Sequence, residues 1–126
     1  MSVKYNVVPK KNPSNPDAEP KYYPSIVKSG STPKRALAKR IAEISTVSTV
    51  DTMAVLEGLL IVLPQELGAG NVVRLGDFGS FWLRTKTQGG ETPEDVNANN
   101  IINVLPRFSP GKEFKQALSA IEFQKG

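Results

Sequence analysis

The sequence contains no cysteine and no histidine, and these absences exclude much of enzyme chemistry. Without cysteine there is no disulfide, no thiolate zinc site and no cysteine nucleophile. Without histidine the chain lacks the usual general base and the commonest metal ligand. No run of eighteen apolar residues predicts a membrane span, and the N-terminal residues lack the apolar stretch of a signal peptide. We therefore expect a cytoplasmic protein with no catalytic residue, metal, cofactor, membrane partner or small-molecule substrate.

The chain is mildly basic, with a net charge of +4 and an isoelectric point of about 9.4. Residues 1–30 hold five lysines and two acidic residues, whereas residues 31–126 hold eleven basic and ten acidic residues. Positive charge suits a polyanionic partner, but the second segment is almost neutral. Any nucleic-acid site in it must therefore come from clustering of basic side chains.

The sequence of residues 1–30 predicts a β-hairpin that precedes the main domain. Apolar and polar residues alternate along residues 3–8, which are also rich in β-branched side chains. Residues 21–28 have the character of a second strand. The segment between these strands is rich in proline and asparagine, which is typical of a loop. Pro24 confines its strand to a sheet edge or interrupts it. We divide the chain into an N-terminal extension, residues 1–30, and a domain of residues 31–126.

Two helices are predicted to follow the hairpin. Thr32 and Pro33 have the pattern of a capping residue followed by proline at the first helical position. Ser48 and Asp51 offer a capping pattern for a longer helix that reaches about Leu67 before two glycines. Pro64 inside this second helix predicts a kink or a local break.

The longer helix is apolar on more than one side. One row of apolar residues recurs at steps of three and four, and others lie outside that row: Met53, Leu56, Leu60 and Leu63 in the row, and Leu59, Ile61 and Val62 outside it. Such a helix is buried on several sides, and a body of this size has little chain to cover it. We favour a dimer helix; the core helix of a monomer is the alternative.

The most informative segments are Leu75–Phe81, which reads L-G-D-F-G-S-F, and Phe108–Lys112, which reads F-S-P-G-K. The first is a glycine turn between two predicted strands. The second follows a predicted returning strand, residues 101–108, and opens a final helix. The predicted order is helix, helix, strand, turn, strand, arm, strand and helix, with a short closing strand at residues 122–124.

Together these segments resemble the HU/IHF family of bacterial histone-like DNA-binding proteins. In that family a G-F-G-x-F turn starts the DNA-facing saddle, and an F-x-x-G-K step after the arm closes it. The resemblance covers about residues 32–121. It implies an α+β fold with two N-terminal helices, a β-saddle with an extended arm and a C-terminal helix, in an intertwined dimer. The leader hairpin is similar to that of the longer HU-like proteins of Bacteroides-type bacteria.

The resemblance implies an architectural, nucleoid-associated protein that binds double-stranded DNA through its phosphate backbone, with little sequence specificity. The residues implied to bind DNA are Lys34, Arg84, Lys86, Arg107, Gly111, Lys112 and Lys115. The implied dimer interface comprises Met53, Leu56, Leu60, Leu63, Phe78, Phe81 and Phe108. Gly111 is included because backbone N–H groups at a helix N-terminus suit a phosphate oxygen. The partner subunit is a second copy or a paralogue.

The arm departs from the family pattern. The family's R-N-P-x-T-G tip, whose proline wedges between base steps, is replaced by Q-G-G-E-T-P-E-D-V at residues 88–96. Pro93 lies near the expected wedge position, but Glu91, Glu94 and Asp95 surround it, and residues 87–100 contain no Lys or Arg. Because carboxylates repel phosphates, we expect weaker binding than that of ordinary HU and little proline wedging.

Two other function classes stand beside DNA binding. The first is an HU-like fold used as a protein-interaction or assembly module, in which the acidic arm and the edge strands of the hairpin contact other proteins. The second is an enzyme, which has little support. Asp51 with Glu57, or Glu91 with Asp95, supplies a pair of carboxylates, but nothing in the sequence brings a base or metal ligand alongside.

Overall fold

The structure is a computed structural model that describes all residues, 1–126. Its helices and strands, in chain order, are β1 Ser2–Lys10, β2 Lys21–Ile26, α1 Lys34–Glu43, α2 Thr49–Gly68, β3 Val73–Arg74, β4 Gly79–Thr87, β5 Ile101–Pro110, α3 Lys112–Leu118 and β6 Glu122–Lys125. The predicted α+β class is confirmed. None of the helices combines the length and the apolar character needed to span a bilayer.

The helix starts follow local chemistry, with one correction. The side chain of Ser48 caps α2 by accepting a hydrogen bond from the Asp51 backbone N–H at 3.0 Å, as predicted. Pro33 is the N-cap of α1 rather than its first helical residue, and no side chain caps that helix. The predicted break at Pro64 is absent: α2 continues to Gly68, although Pro64 lacks the N–H that would bond the carbonyl of Leu60.

A first sheet joins the two ends of the chain in the strand order β2–β1–β6. β1 and β2 form the predicted antiparallel hairpin, with Tyr5 opposite Ile26 and Lys10 opposite Lys21. Pro24 lies in β2, which is an edge strand, where a missing N–H costs no ladder bond. β6 pairs with β1 in parallel, so that Val3 lies beside Phe123. Sequence analysis predicted the short closing strand but not this partner.

The second sheet has the order β3–β4–β5 and is antiparallel throughout. β4 and β5 pair from Gly79 with Pro110 to Thr87 with Ile101, and one irregularity interrupts the register between Lys86 and Thr87. The long β4–β5 ribbon corresponds to the predicted strands that enter and leave the arm. β3 is only two residues long, whereas the strand-like sequence before the glycine turn spans residues 71–75.

The chain divides into two compact units. One contains residues 1–31 and 117–126, and the other contains residues 32–116. The last ten residues lie in the first unit because β6 pairs with β1. The division that we placed between residues 30 and 31 stays a prediction.

Very little of the chain is fully buried. The buried residues of the two helices α1 and α2 are Ala38, Thr52 and Leu67, and no large side chain is completely covered. Many large apolar side chains remain exposed on α1, α2 and both sheets. A folded domain normally removes most such surface from water. These faces therefore lack packing partners within the single chain.

Candidate nucleic-acid interface

The pairing of β4 with β5 sorts their side chains onto two faces. In an antiparallel pair, residues directly opposite each other point to the same face, and alternate residues along a strand share a face. Trp82 lies opposite Arg107, and Lys86 lies opposite Asn103. Arg84 is therefore on the same face as Trp82, Lys86 and Arg107. Phe81, on the alternate positions, belongs to the other face.

This face of the sheet is positively charged. The register between β3 and β4 pairs Arg74 with Ser80, which adds Arg74 to the same side. The positions on this side are Arg74, Ser80, Trp82, Arg84, Lys86, Asn103, Leu105, Arg107 and Ser109. Four of them are cations and none is acidic. We call Arg74, Arg84, Lys86 and Arg107 the basic face. Sequence analysis missed Arg74, because a two-residue strand gives almost no periodic signal.

The cations of the basic face have no internal counter-ion. All four side chains are exposed, and the one ion pair of the structure joins Lys34 to Glu57 elsewhere. Arg107 makes only a long hydrogen bond of 3.5 Å, which it donates to the carbonyl of Pro106. Neighbouring like charges without a counter-ion repel one another. The arrangement is therefore suited to an external polyanion.

The glycine turn before β4 has steric requirements that only glycine meets. Gly76 adopts φ +54° and Gly79 adopts φ +150°, in the left-handed region that favours glycine. A Cβ on Gly79 would lie 2.6 Å from both Cε1 of Phe108 and the carbonyl oxygen of Ser109. The backbone of β4 can thus approach β5 closely, which sets the position of the basic face.

Gly111 has a different role from the one we predicted. Its N–H donates a hydrogen bond of 2.8 Å to the carbonyl of Phe78, so this amide is not available to a phosphate. A Cβ at this position would collide with the backbone carbonyl of Asp77. Gly111 therefore serves to pack the start of α3 against the Gly76–Gly79 turn. The acceptor is 33 residues earlier in the chain, too far for local sequence to reveal it.

α3 presents the two lysines that we predicted to bind DNA. Lys112 is its first residue and Lys115 lies one turn later, and both side chains are exposed without an ion pair. Lys115 donates its backbone N–H to the Gly111 carbonyl at 3.1 Å, which fixes the first turn of the helix. The contact between Gly111 and Phe78 thus positions both lysines relative to the glycine turn.

Lys34 differs from the other candidate cations because its ammonium group is already paired. It is the first residue of α1 and bonds the Glu57 carboxylate of α2. The side chains of both residues are about half exposed. An exposed pair of this kind is worth about 0–1 kcal/mol, so a phosphate could displace the carboxylate.

Four phenylalanines cluster beneath the glycine turn. The ring centroids of Phe78 and Phe114 are 4.8 Å apart, as are those of Phe81 and Phe108, and Phe78 and Phe108 are separated by 5.6 Å. Yet Phe78 is 45% and Phe108 is 37% exposed. The predicted interface residues Phe78, Phe81 and Phe108 thus share one cluster that retains uncovered apolar surface.

α2 also leaves apolar surface uncovered. Of its predicted interface residues, Met53, Leu56 and Leu63 are half-buried within the protomer and Leu60 is exposed. The side chains of Val50, Val55, Ile61 and Val62, on other sides of the helix, are also exposed. Ile61 and Val62 are among the apolar residues that we placed outside the row, whereas Val50 and Val55 were not singled out. Apolar surface therefore stays uncovered on more than one side of the helix, and the interface residues stay a prediction.

The arm carries the opposite charge to the basic face. Beyond the last pair of β4 and β5, Gln88 and Asn100 close the loop with two hydrogen bonds, of 2.7 and 2.8 Å. Pro93 opens a short 3₁₀ turn, Pro93–Asp95, that contains two of the three acids of the loop. Every side chain from Gln88 to Asn99 is exposed. The loop therefore presents negative charge to solvent at the end of the ribbon.

Two sequence comparisons identify relatives of the chain. Residues 1–125 match the sequence model of the HU-HIG family, described as an HU domain fused to wHTH, Ig, or glycine-rich motif. The chain is 29% identical over 93 residues to the DNA-binding protein HRL18 of Rhizobium leguminosarum, covering 69% of this chain and 98% of the relative. The HRL18 protein of Rhizobium radiobacter gives the same values.

Two solved structures are similar to the fold. A presumed bacterial DNA-binding protein of Bacteroides vulgatus superposes with a TM-score of 0.69 over 98% of this chain and 47% of that one, at 14% identity. This likeness shows the fold alone, and our chain spans about half the length of that protein. A cocrystal structure of Anabaena HU with DNA gives a TM-score of 0.56 at 28% identity, covering 71% of this chain and 99% of that one.

Proposed function

We propose, because the chain belongs to the HU-HIG family, that it binds duplex DNA as an architectural protein with little sequence specificity. One observation carries the proposal: the basic face places four exposed cations and no acidic residue on one side of the β3–β4–β5 sheet. We equate this face with the DNA-facing saddle of the HU/IHF family. Relatives and similar structures that are described as DNA-binding, or that contain DNA, support the same partner.

Binding on this face proceeds through phosphates. Each cation that neutralises a phosphate releases condensed counter-ions, which supplies sequence-independent affinity. Three of the four basic-face residues are arginines, whose planar guanidinium groups can hold a phosphate with two hydrogen bonds. Lys112 and Lys115 extend the positive surface from α3. Lys34 joins the site when a phosphate displaces Glu57. Gly111 is not included, because its amide is already bonded.

We further propose that the binding unit is a dimer. The protomer has an accessible surface of 10544 Å². A compact monomer of 13.7 kDa exposes about 6,600 Å². The excess is larger than the surface that one partner contributes to an obligate dimer interface, which is about 1,000–2,500 Å², so burial against a second copy would account for part of it. The uncovered apolar sides of α2 and the phenylalanine cluster supply surface of the kind such interfaces use. A second copy is the simplest partner, and a paralogue with the same faces would also fit.

The dimer is tested by sedimentation and by thermal unfolding at several protein concentrations. The melting temperature of an obligate dimer rises with protein concentration. Leu60→Asp, on an uncovered side of α2, should produce a monomer with a lower melting temperature. Val96→Asp, at an exposed apolar position of the arm loop, is the control and should leave the dimer intact. A monomeric wild-type protein at micromolar concentration would contradict the dimer.

DNA binding itself is tested by fluorescence anisotropy with a labelled duplex of about 30 base pairs. We expect the affinity to fall by at least about tenfold between 50 and 200 mM salt, because each phosphate contact contributes a slope of about −0.9. No detectable binding at about 50 mM salt would contradict the proposal, since non-specific binding is strongest there.

The alternative, a protein-interaction module, has one observation in its favour. One side of the first sheet is apolar and exposed, with Val7, Tyr22, Pro24, Ile26 and Phe123 among its residues. Such a surface can take a protein segment, and an association driven by apolar burial does not weaken as salt rises. The same salt titration therefore distinguishes the two functions.

A further inference from the structure

The far end of the β1–β2 hairpin carries a lysine cluster that the proposed DNA site does not use. Lys10 and Lys21 lie directly opposite each other at the last pair of the ladder, and Lys11 follows in the loop. Together with Tyr23 they line a shallow concavity at this end of the hairpin. We call Lys10, Lys11, Lys21 and Tyr23 the hairpin cluster.

The opposed lysines are unfavourable for the hairpin by itself. Like charges directly across an antiparallel pair destabilise it, because both side chains point to the same face. Neither lysine has an ion pair within the chain. Glu19 lines the same concavity but does not pair with them. An anion bound between the two strands would remove this repulsion.

The rest of the cluster is arranged for a phosphate chain. The Nζ of Lys10 lies 5.8 Å from the centre of the Tyr23 ring, which keeps it on the same side of the sheet. Tyr23 is exposed, and a tyrosine hydroxyl can donate a hydrogen bond to an anion. The adjoining loop is held by a hydrogen bond of 3.0 Å from the Ser14 N–H to the side-chain oxygen of Asn12.

We propose that the hairpin cluster is a second surface for the DNA backbone, separate from the basic face. Its cations are spread over two strands and a loop around an open concavity, which suits successive phosphates of a polymer better than one enclosed anion. The proposal rests on the proposed function, since it assigns additional contacts to the same partner.

The test is Lys21→Glu, a change that separates binding from folding. Glu at position 21 would face Lys10, so an attractive pair replaces a repulsive one and the melting temperature should rise. The affinity for a duplex of about 40 base pairs should nevertheless fall by about tenfold at 50 mM salt, with a salt slope smaller by at least about one. Lys125→Glu makes the same charge change on the opposite side of the sheet, beside Tyr5, and should keep affinity within about twofold.

Arg84→Gln with Lys86→Gln, measured in parallel, separates this proposal from the function on which it rests. If that double change weakens binding while Lys21→Glu changes neither affinity nor salt slope, the hairpin cluster is not a DNA surface and the basic face stands. If only Lys21→Glu weakens binding, the cluster stands and the basic face is wrong. Loss of binding to anionic phospholipid vesicles in Lys21→Glu, with DNA binding unchanged, would assign the cluster to lipid and overturn the proposal.

Discussion

The two ends of the β4–β5 ribbon differ in charge, although the same two strands supply both. Near the glycine turn, the ribbon and β3 present Arg74, Arg84, Lys86 and Arg107 on one face. At the other end, the loop of residues 88–100 presents three carboxylates and no cation. In the net charge of residues 31–126 the positive and negative regions nearly cancel, so this sum reveals neither of them. If the protein binds DNA as proposed, the comparison predicts that the sheet holds it and that the arm does not grip it.

The largest effect is expected when the basic face is neutralised. If Arg84 and Lys86 bind phosphate in a dimer as proposed, Arg84→Gln with Lys86→Gln removes two phosphate contacts from each protomer and four from the dimer. We expect the affinity for a duplex of about 30 base pairs to fall by about 100-fold or more at 50 mM salt, with a salt slope smaller by about two to four. Fluorescence anisotropy measures both.

Thr85→Glu is the positional control for this change, and it lowers the net charge by one unit where the double change lowers it by two. Thr85 lies between the two basic residues and points to the opposite face of the strand, so the added charge is close in sequence but not on the basic face. Its affinity should stay within about threefold of wild type, since an exposed charge on the far side is screened. Equal losses in both proteins would show that net charge, and not the basic face, determines binding.

The next largest effect is expected from the arm. Glu91→Gln, Glu94→Gln and Asp95→Asn together remove the negative charge of the loop, and we expect DNA affinity to rise by about tenfold at 50 mM salt because repulsion of phosphates is relieved. Glu43→Gln, on the exposed side of α1, serves as a control for general charge effects. Unchanged affinity in the arm variant would refute the repulsion argument.

A smaller effect is expected from the ion pair between Lys34 and Glu57. Glu57→Gln frees the ammonium group, which should raise DNA affinity by no more than about threefold, because an exposed ion pair is weak. The gain should disappear when Lys34→Gln is added, as the same anisotropy titration would show. If Glu57→Gln has no effect in a protein that binds DNA, Lys34 does not belong to the site.

The smallest effect is expected at the tip of the arm. Pro93→Ala should leave both affinity and DNA bending unchanged, because we expect the neighbouring carboxylates to keep Pro93 out of the base stack. Bending is measured by energy transfer between dyes on the two ends of a duplex. A wedged proline that kinks DNA by about 20–90° would be detected, since its loss would lower the transfer efficiency.

The parts of the fold that depend on neighbouring residues, such as strands and helix caps, were largely predicted from the sequence. The glycine turn between strand-like segments and the returning segment of residues 101–108 located the ribbon strands, and the Ser48 cap placed the start of α2. Long-range contacts were not accessible in the same way. The parallel pairing of β6 with β1 joins the two ends of the chain, and the bond from Gly111 to Phe78 joins segments 33 residues apart. Both follow from tertiary packing, which no local pattern encodes.

The candidate site was predicted only in part, because one of its residues is brought in by a strand pairing. Arg84, Lys86 and Arg107 lie on one face, as alternation along two strands suggests, but Arg74 joins them only through the register of a two-residue strand. In α2, Met53 and Leu56 of the periodic row are half-buried within the chain itself, whereas Leu60 of the same row is exposed. Val50 and Val55, outside that row, are the most exposed apolar side chains of the helix, and periodicity alone did not single them out.

Trp82 allows the most direct test of the central claim, that DNA lies on the basic face. It is the one tryptophan of the chain, and it lies on that face opposite Arg107. We predict that its fluorescence changes in step with the anisotropy of a labelled duplex during one titration, and that both signals revert as salt rises. An anisotropy increase without any change in Trp82 emission would place the DNA elsewhere and contradict the account.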